Sequence, residues 1–312
     1  MKKLIAAACA LGVVAAPALA QDEITTYAPN GGWTADFGED YCRLIRTFSD
    51  GENELTLAME RIQPTTLTKF MLIGDGIRLY RRAETVGLAY LPDGGKRDAF
   101  LARSETGDGQ QFLIMDGVNM GPDLAAMFGG PGGAGAPPPP AEGMPEFGPG
   151  TPVYDTEIEA EYAAGVRGVS LGEGLTEPVR IETGSLRNVV AVMQDCTYNL
   201  LDSWEINGAK HRSISRMVVP SEGTTLPQGT VGFEDFGKMA GGANQVRLMI
   251  DENGAPTSCH IHSPSLDQST NDAICAHLMR NARFEPALDA DGQPMASYWI
   301  NSPSFMFSFG GT

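Results

Sequence analysis

Between Gly129 and Pro152, eight glycines and eight prolines take sixteen of 24 consecutive positions, Pro137-Pro138-Pro139-Pro140 among them. Glycine loses too much chain entropy and proline too many donors for such a run to join a helix or a sheet. Any folded unit must therefore be built from the residues on either side. The segment reads as a flexible loop or linker, with a polyproline ligand for a partner as the sharper alternative. The chain has 312 residues, enough for two domains with cores of their own, and 42% hydrophobic against 20% charged residues excludes disorder throughout.

The first twenty residues, MKKLIAAACALGVVAAPALA, begin with Lys2 and Lys3, continue as an Ala/Leu/Val-rich run and close on Ala18-Leu19-Ala20. That is the pattern of a cleavable secretory signal over 1–20, which places the mature protein in the periplasm. An uncleaved anchor is the rival, but the apolar run is short for a span. Cys9 has almost no apolar stretch before it and makes a poor lipidation site. Cleavage removes two lysines and no acid, leaving 20 basic against 39 acidic groups, a net charge of −19. Such a surface repels phosphate backbones and anionic lipid, so nucleic acid is excluded as a partner. Four cysteines remain after cleavage, Cys42, Cys196, Cys259 and Cys275, and an even number in an exported chain points to disulfides.

Local pattern ranks the three possible pairings. Short β-type runs over 41–48, 54–61, 67–74 and 110–115, separated by Asp-Gly turns, predict an antiparallel meander or sandwich in a domain over 21–128. Its remainder over 153–240 holds a strand over 175–182 and a helix near 185–204, capped by Thr183 or Ser185. In that helix Leu186, Val189, Val190, Met193, Leu200, Leu201 and Trp204 trace one face. Cys196 lies on the buried side of the helix and Cys42 in a strand, so the two are expected to staple helix to sheet. A C-terminal domain over 241–312 starts with alternating Val246, Leu248 and Ile250, turns at Asn253-Gly254 and returns over 255–263. Ser265 with Gln268 caps a helix to about Ala282, and a last extended run begins near Met295. Period two puts Cys259 on the face that the helix bearing Cys275 should cover, which makes these two the second disulfide.

The stretch from Val246 to Phe305 resembles the TonB C-terminal domain family. The resemblance covers about residues 241–309. It rests on Gly254, Leu266, Asp267, Arg283, Phe284, Pro286, Ala287, Gly292 and Pro294, with RFEPALDADGQP its most specific string. It implies a β-β-α-β periplasmic domain whose last strand, Met295, Ala296, Ser297, Tyr298, Trp299, Ile300 and Asn301, pairs with an extended segment of an outer-membrane receptor. Strand addition of that kind uses the unpaired N–H and C=O groups of a sheet edge. Tyr298 and Trp299 are the candidate anchors, since aromatic chains bury large area at interfaces. The alternatives are that this edge is covered by the N-terminal domain or by a second copy of the chain in a homodimer. The family's energy transducers keep a membrane helix and a long charged linker; a cleavable signal points instead to a soluble binding role in the cell envelope, without direct energy transduction.

Other chemistry finds little support. Gly168-Val169-Ser170-Leu171-Gly172 matches a nucleophile elbow, but Gly172-Glu173-Gly174 and Pro178 follow where a helix is required, which leaves a serine hydrolase as a weak alternative. His260 and His262 share a strand face, yet Cys259 and Cys275 should point away and be oxidised, so no metal is expected and both histidines are placed on the solvent side. Asp289-Ala290-Asp291-Gly292 lacks the ligand set of a calcium loop. The expected protein is thus an α+β chain without cofactor or enzymatic activity: a β-rich antiparallel N-terminal domain with one packed helix, followed by a TonB-like domain that binds a protein partner.

Overall fold

Strands of alternating burial dominate the computed structural model, which describes residues 24–122 and 154–305. The signal over 1–20 and the Gly/Pro segment over 129–152 lie outside the described residues. Ten strands make the first sheet: β1 (Thr25–Pro29), β2 (Thr34–Phe37), β3 (Cys42–Ser49), β4 (Glu54–Arg61), β5 (Leu67–Ile73), β6 (Thr85–Leu91), β7 (Arg97–Glu105), β8 (Gln111–Asn119), β9 (Gly168–Leu171) and β10 (Val179–Ile181). Nine of them close into a barrel in the order β1-β10-β9-β6-β7-β8-β5-β4-β3, because β1 also pairs with β3 through Ala28 opposite Ser49 and Pro29 opposite Phe48. Strand direction must return to its starting sense around a ring, so an odd number of strands forces at least one parallel pair. That pair is β1 with β10, Thr25 opposite Val179 through Tyr27 opposite Ile181. β2 lies outside the ring, on the first half of β3.

Closure abolishes sheet edges and leaves alternate side chains to fill the interior. Tyr27, Phe48, Leu55, Leu57, Phe70, Leu72, Leu88, Tyr90, Met115 and Ile181 are at most 2% exposed and belong to one cluster. Apolar chains pointing inward are the reverse of a porin-type barrel, whose apolar band faces lipid. No helix among the described residues is long and apolar enough to cross a membrane. Two helices join the same core: α1 (Thr156–Gly165) through Ala163, and α2 (Arg187–Ser203) through Val189, Val190, Met193, Cys196 and Leu200. The Cys42–Cys196 disulfide fixes α2 to the start of β3. A buried polar knot ties α1 to β4. Arg61 donates to both carboxylate oxygens of Glu159 and, through Nε, to Thr68 at 2.8 Å, while Gln194 of α2 donates to Glu159 at 3.0 Å.

One outer face of the barrel carries a charge ladder across four strands. Asp36 stands opposite Arg43, Arg43 opposite Glu60 and Glu60 opposite Lys69. Alternating signs in register are the favourable cross-strand arrangement. The C-terminal part of the chain docks here: Lys69 Nζ donates to the carbonyl of Gly242 at 3.3 Å. Gly242, at φ +70°, comes so close that a Cβ would meet the Asp116 carboxylate at 2.6 Å.

Before that part come α3 (Gly208–His211), β11 (Val219–Glu222), β12 (Thr225–Leu226) and a 3-10 segment (Phe233–Gly242). Its centre is a three-stranded sheet in the order β14-β13-β18, formed by β13 (Gln245–Ile250), β14 (Pro256–His262) and β18 (Ser297–Asn301). Short ladders surround it: β15 (Arg283–Glu285) on β11, β16 (Ala287–Leu288) on β17 (Pro294–Met295), and β19 (Ser304–Phe305) parallel to β12. Val246, Leu248 and Ile250 pack on Ile274 and Leu278 of α4 (Gln268–Asn281). The Cys259–Cys275 disulfide joins β14 to α4. The opposite face, with Met249, Tyr298 and Ile300, packs on Tyr198, Leu201 and Trp204 at the end of α2. The sheet is thus covered on both faces.

The α+β class expected from the sequence is overturned. The chain is mostly β, 40% strand and 22% helix, built around a closed barrel rather than a packed helix on a sandwich followed by a TonB-like domain. The strand content was underread because β6 contains Gly87, and β1, β2, β9 and β10 are only three to five residues long. Such runs carry little periodicity of their own. Three local expectations also shift. Leu186, rather than Thr183 or Ser185, is the N-cap of α2, without a side-chain cap hydrogen bond. Asp267 rather than Ser265 caps α4, accepting from the Thr270 N–H at 2.9 Å, and the run expected over 295–301 is interrupted at Ala296.

Two stability outcomes follow from these contacts. In urea unfolding Glu159→Ala should cost about 3–5 kcal/mol, since it strands a buried guanidinium, and Glu159→Ala with Arg61→Met should recover most of that loss. Serine substitution of Cys42 and Cys196, 154 residues apart, should destabilise more than that of Cys259 and Cys275, 16 apart. Loop-closure entropy puts the difference at about 2 kcal/mol.

Candidate functional site

A three-stranded sheet has two edges, and they differ in chemistry. β14 begins with Pro256, carries a register shift opposite Met249 and Ile250, and is tied to α4 through Cys259. Proline and irregular register are the means by which proteins blunt an edge. β18, Ser-Tyr-Trp-Ile-Asn, has no proline, no charge and a continuous register from Val246 opposite Asn301 to Ile250 opposite Ser297. Among the described residues β18 pairs with β13 alone. Its outer side is therefore the more receptive template for an added strand.

The expected binding residues are distributed unevenly over this edge. Met295 is 7% exposed and pairs with Ala287 in a separate ladder, and Ala296 lies between the two strands. Ser297 is buried, 3.0 Å from Nε2 of His211. Tyr298 is corrected as an anchor: at 1% exposed, its ring stacks on His211 and meets Trp204 edge-on, so a partner cannot reach it. Trp299 is half-buried on the opposite face, 5.7 Å from the Phe284 ring. Ile300 is half-buried as well, and only Asn301 is exposed. What remains accessible is the second half of the edge, from half-buried Trp299 and Ile300 to exposed Asn301.

The motif residues do structural work. A Cβ on Gly254, at φ +80°, would stand 1.8 Å from the Phe284 carbonyl oxygen, whose own N–H donates to the Gly254 carbonyl at 3.0 Å. Only glycine permits this approach. The hairpin loop spans five residues from Asp251 to Ala255, longer than the tight Asn-Gly turn expected. Arg283 donates to the carbonyls of Arg280 and Ala282, Ala287 is fully buried under the sheet, and Gly292 closes a turn at φ +73°. Pro286 touches the same Gly254 position at 3.6 Å. Ser170 sits within β9 with a turn after it and no helix, which removes the nucleophile-elbow reading.

Behind β13 and β14 lies a polar cluster that sequence reasoning placed incorrectly. His262 is not on the solvent side: it is 4% exposed, 6.3 Å from the Trp204 ring. Asp40, in the connection between β2 and β3, reaches across from the barrel, with Oδ1 accepting from Arg247 at 2.7 Å and Oδ2 standing 3.0 Å from Nε2 of His260. Arg247 lies over the Trp204 ring at 3.9 Å, a cation–π contact. Burial, then the nearby Arg247 charge, lowers His262 to about 3, and burial likewise lowers His260. Burial works against ionised Asp40, but the Arg247 hydrogen bond and the surrounding cations hold it below the usual carboxylate value. The sequence signal here was Arg247 between two core residues of an alternating strand; Asp40, 207 positions earlier, gave none.

The chain matches no family model, no curated protein and no solved structure in these three comparisons. The functional reading rests on the geometry of the edge and on the motif residues.

The packing of β18 generates a pH dependence. His211 is enclosed against Tyr298, and burial lowers it from 6.5 to about 4. Between those values the unfolded chain takes up a proton that the folded chain refuses, so this contribution to stability is lost as pH falls from 6.5 towards 4. The loss should reach about 3 kcal/mol, and His211→Gln should flatten the pH profile of unfolding free energy by that amount.

Proposed function

We propose that this is an exported cell-envelope protein that binds an extended segment of another envelope protein, such as an outer-membrane receptor, by adding it as a strand to the outer edge of β18. The observation that carries the reading is the contrast between the two edges: β14 has proline, a register shift and a disulfide, whereas β18 is regular, uncharged and paired on one side only among the described residues. Main-chain hydrogen bonds would supply affinity, as in other strand additions. Because Tyr298 faces inward, selectivity comes from the half-buried Trp299 and Ile300 and from the exposed end at Asn301. The motif residues shared with TonB C-terminal domains, the secretory pattern over 1–20 and the two disulfides support an oxidising envelope compartment and a binding role. The reading requires no cofactor and no catalytic group.

A photo-reactive residue at Asn301, tested in cells and compared with one at exposed Thr257 on β14, reads this out. The expected product is a crosslink from position 301, and not from 257, to one segment of an envelope protein. A crosslink from 301 only to the same strand of a second copy would instead make β18 a dimer edge and remove the receptor reading.

A further inference from the structure

We infer that Asp40, His260 and His262 form a site for one divalent cation of the Zn2+ class, at the seam between the barrel and the C-terminal sheet. One ligand atom from each residue falls within 4.8 Å of the others. Zinc bonds of about 2.0–2.1 Å in a tetrahedron separate ligand atoms by roughly 3.3 Å. The Asp40 Oδ2 to His260 Nε2 distance of 3.0 Å is already close to that edge length, and side-chain rotation can bring in His262. Two imidazoles and one carboxylate, with the fourth position left to water, is a ligand set that suits zinc.

A second observation points to the same place. Nε2 of His262 is buried without a hydrogen-bond partner in a side chain that is 4% exposed. An unsatisfied buried polar atom costs about 1–3 kcal/mol, which a cation would offset. The entry side is open, since the His260 and Asp40 side chains are 41% and 29% exposed. On binding, His260 gives up its approach to Asp40 and turns its Nε2 lone pair to the ion, the single ring proton of the neutral imidazole then sitting on Nδ1. Asp40 divides its oxygens: Oδ2 serves the ion and Oδ1 stays on Arg247.

Arg247 is the opposing term, because its charge cancels that of Asp40. A further long-range attraction comes from the net charge of −19 of the chain without residues 1–20. The ion would bridge the β2–β3 connection of the barrel to β14, and so clamp the sheet that carries β18 from its other edge.

Titration of the mature, disulfide-bonded chain with Zn2+ alone, followed by calorimetry at neutral pH, tests the site. One ion per chain is expected. His260→Gln, which alters a half-exposed ring, and His262→Ala should each weaken binding on the order of 100-fold or more. His277→Ala, on α4 and outside the cluster, should change nothing. Arg247→Gln should tighten binding on the order of 10-fold, by removing a nearby positive charge. Co2+ in place of Zn2+ should give the visible absorption of a tetrahedral ion. Absence of saturable binding, binding that survives His260→Gln, or weaker binding in Arg247→Gln would each overturn the site and leave the cluster as an ion-pair latch.

Discussion

Closure of the barrel is the constraint on which the rest of the molecule depends. Nine strands can form a ring only with a parallel pair, and the chain supplies it by laying β1 beside β10, some 150 residues later in sequence. This makes the extreme N-terminal strand of the described chain a keystone: without it, β3 and β10 would be edges and the interior, lined by Phe48, Leu55 and Ile181, would open. Because β1 takes only the end of β3, the first half of β3 is left for β2. The connection from β2 to β3 then projects Asp40 away from the ring, towards the C-terminal sheet.

The same arrangement decides how the C-terminal sheet is used. The Cys42–Cys196 disulfide fixes α2 at the start of β3, and the end of α2 presents Tyr198, Leu201 and Trp204. These residues cover one face of the sheet while α4 covers the other, so neither face is free for a partner. Burial of Tyr298 between Trp204 and His211 is the direct consequence. What the packing leaves exposed is the Trp299–Asn301 end of an edge, where main-chain groups can pair with an added strand. The charge relationships behind the sheet have the same origin, since Asp40 from the barrel meets Arg247 and His260 only because the two parts are docked.

Particular residues show how much of this was legible. The period of Val189, Val190, Met193 and Leu200 placed α2, and the alternation of Val246, Leu248 and Ile250 placed β13. Both disulfides were readable as well, because each cysteine occupies a definite position in a strongly periodic element. Gly254 was legible as a turn, but its tight approach to the Phe284 carbonyl was not. The barrel escaped detection because strands such as β9 and β10 have three or four residues, and because pairing between β1 and β10 leaves no mark in either local pattern. Exposure of Tyr298 and His262 was misjudged for a related reason: alternation tells which residues share a face, but not whether another part of the chain covers it.

By itself the sequence carried the local elements, the ranking that put Cys42 with Cys196 and Cys259 with Cys275, and the strand that ends the C-terminal sheet, since these follow from periodicity, turn chemistry and oxidation over short stretches. Only the tertiary structure decided that the N-terminal strands close into a ring, that both faces of the C-terminal sheet are covered, and that Asp40 meets His260 and His262. Those outcomes depend on contacts between segments far apart in the chain, where the free energy of burying two surfaces together has no counterpart in the pattern of either one alone.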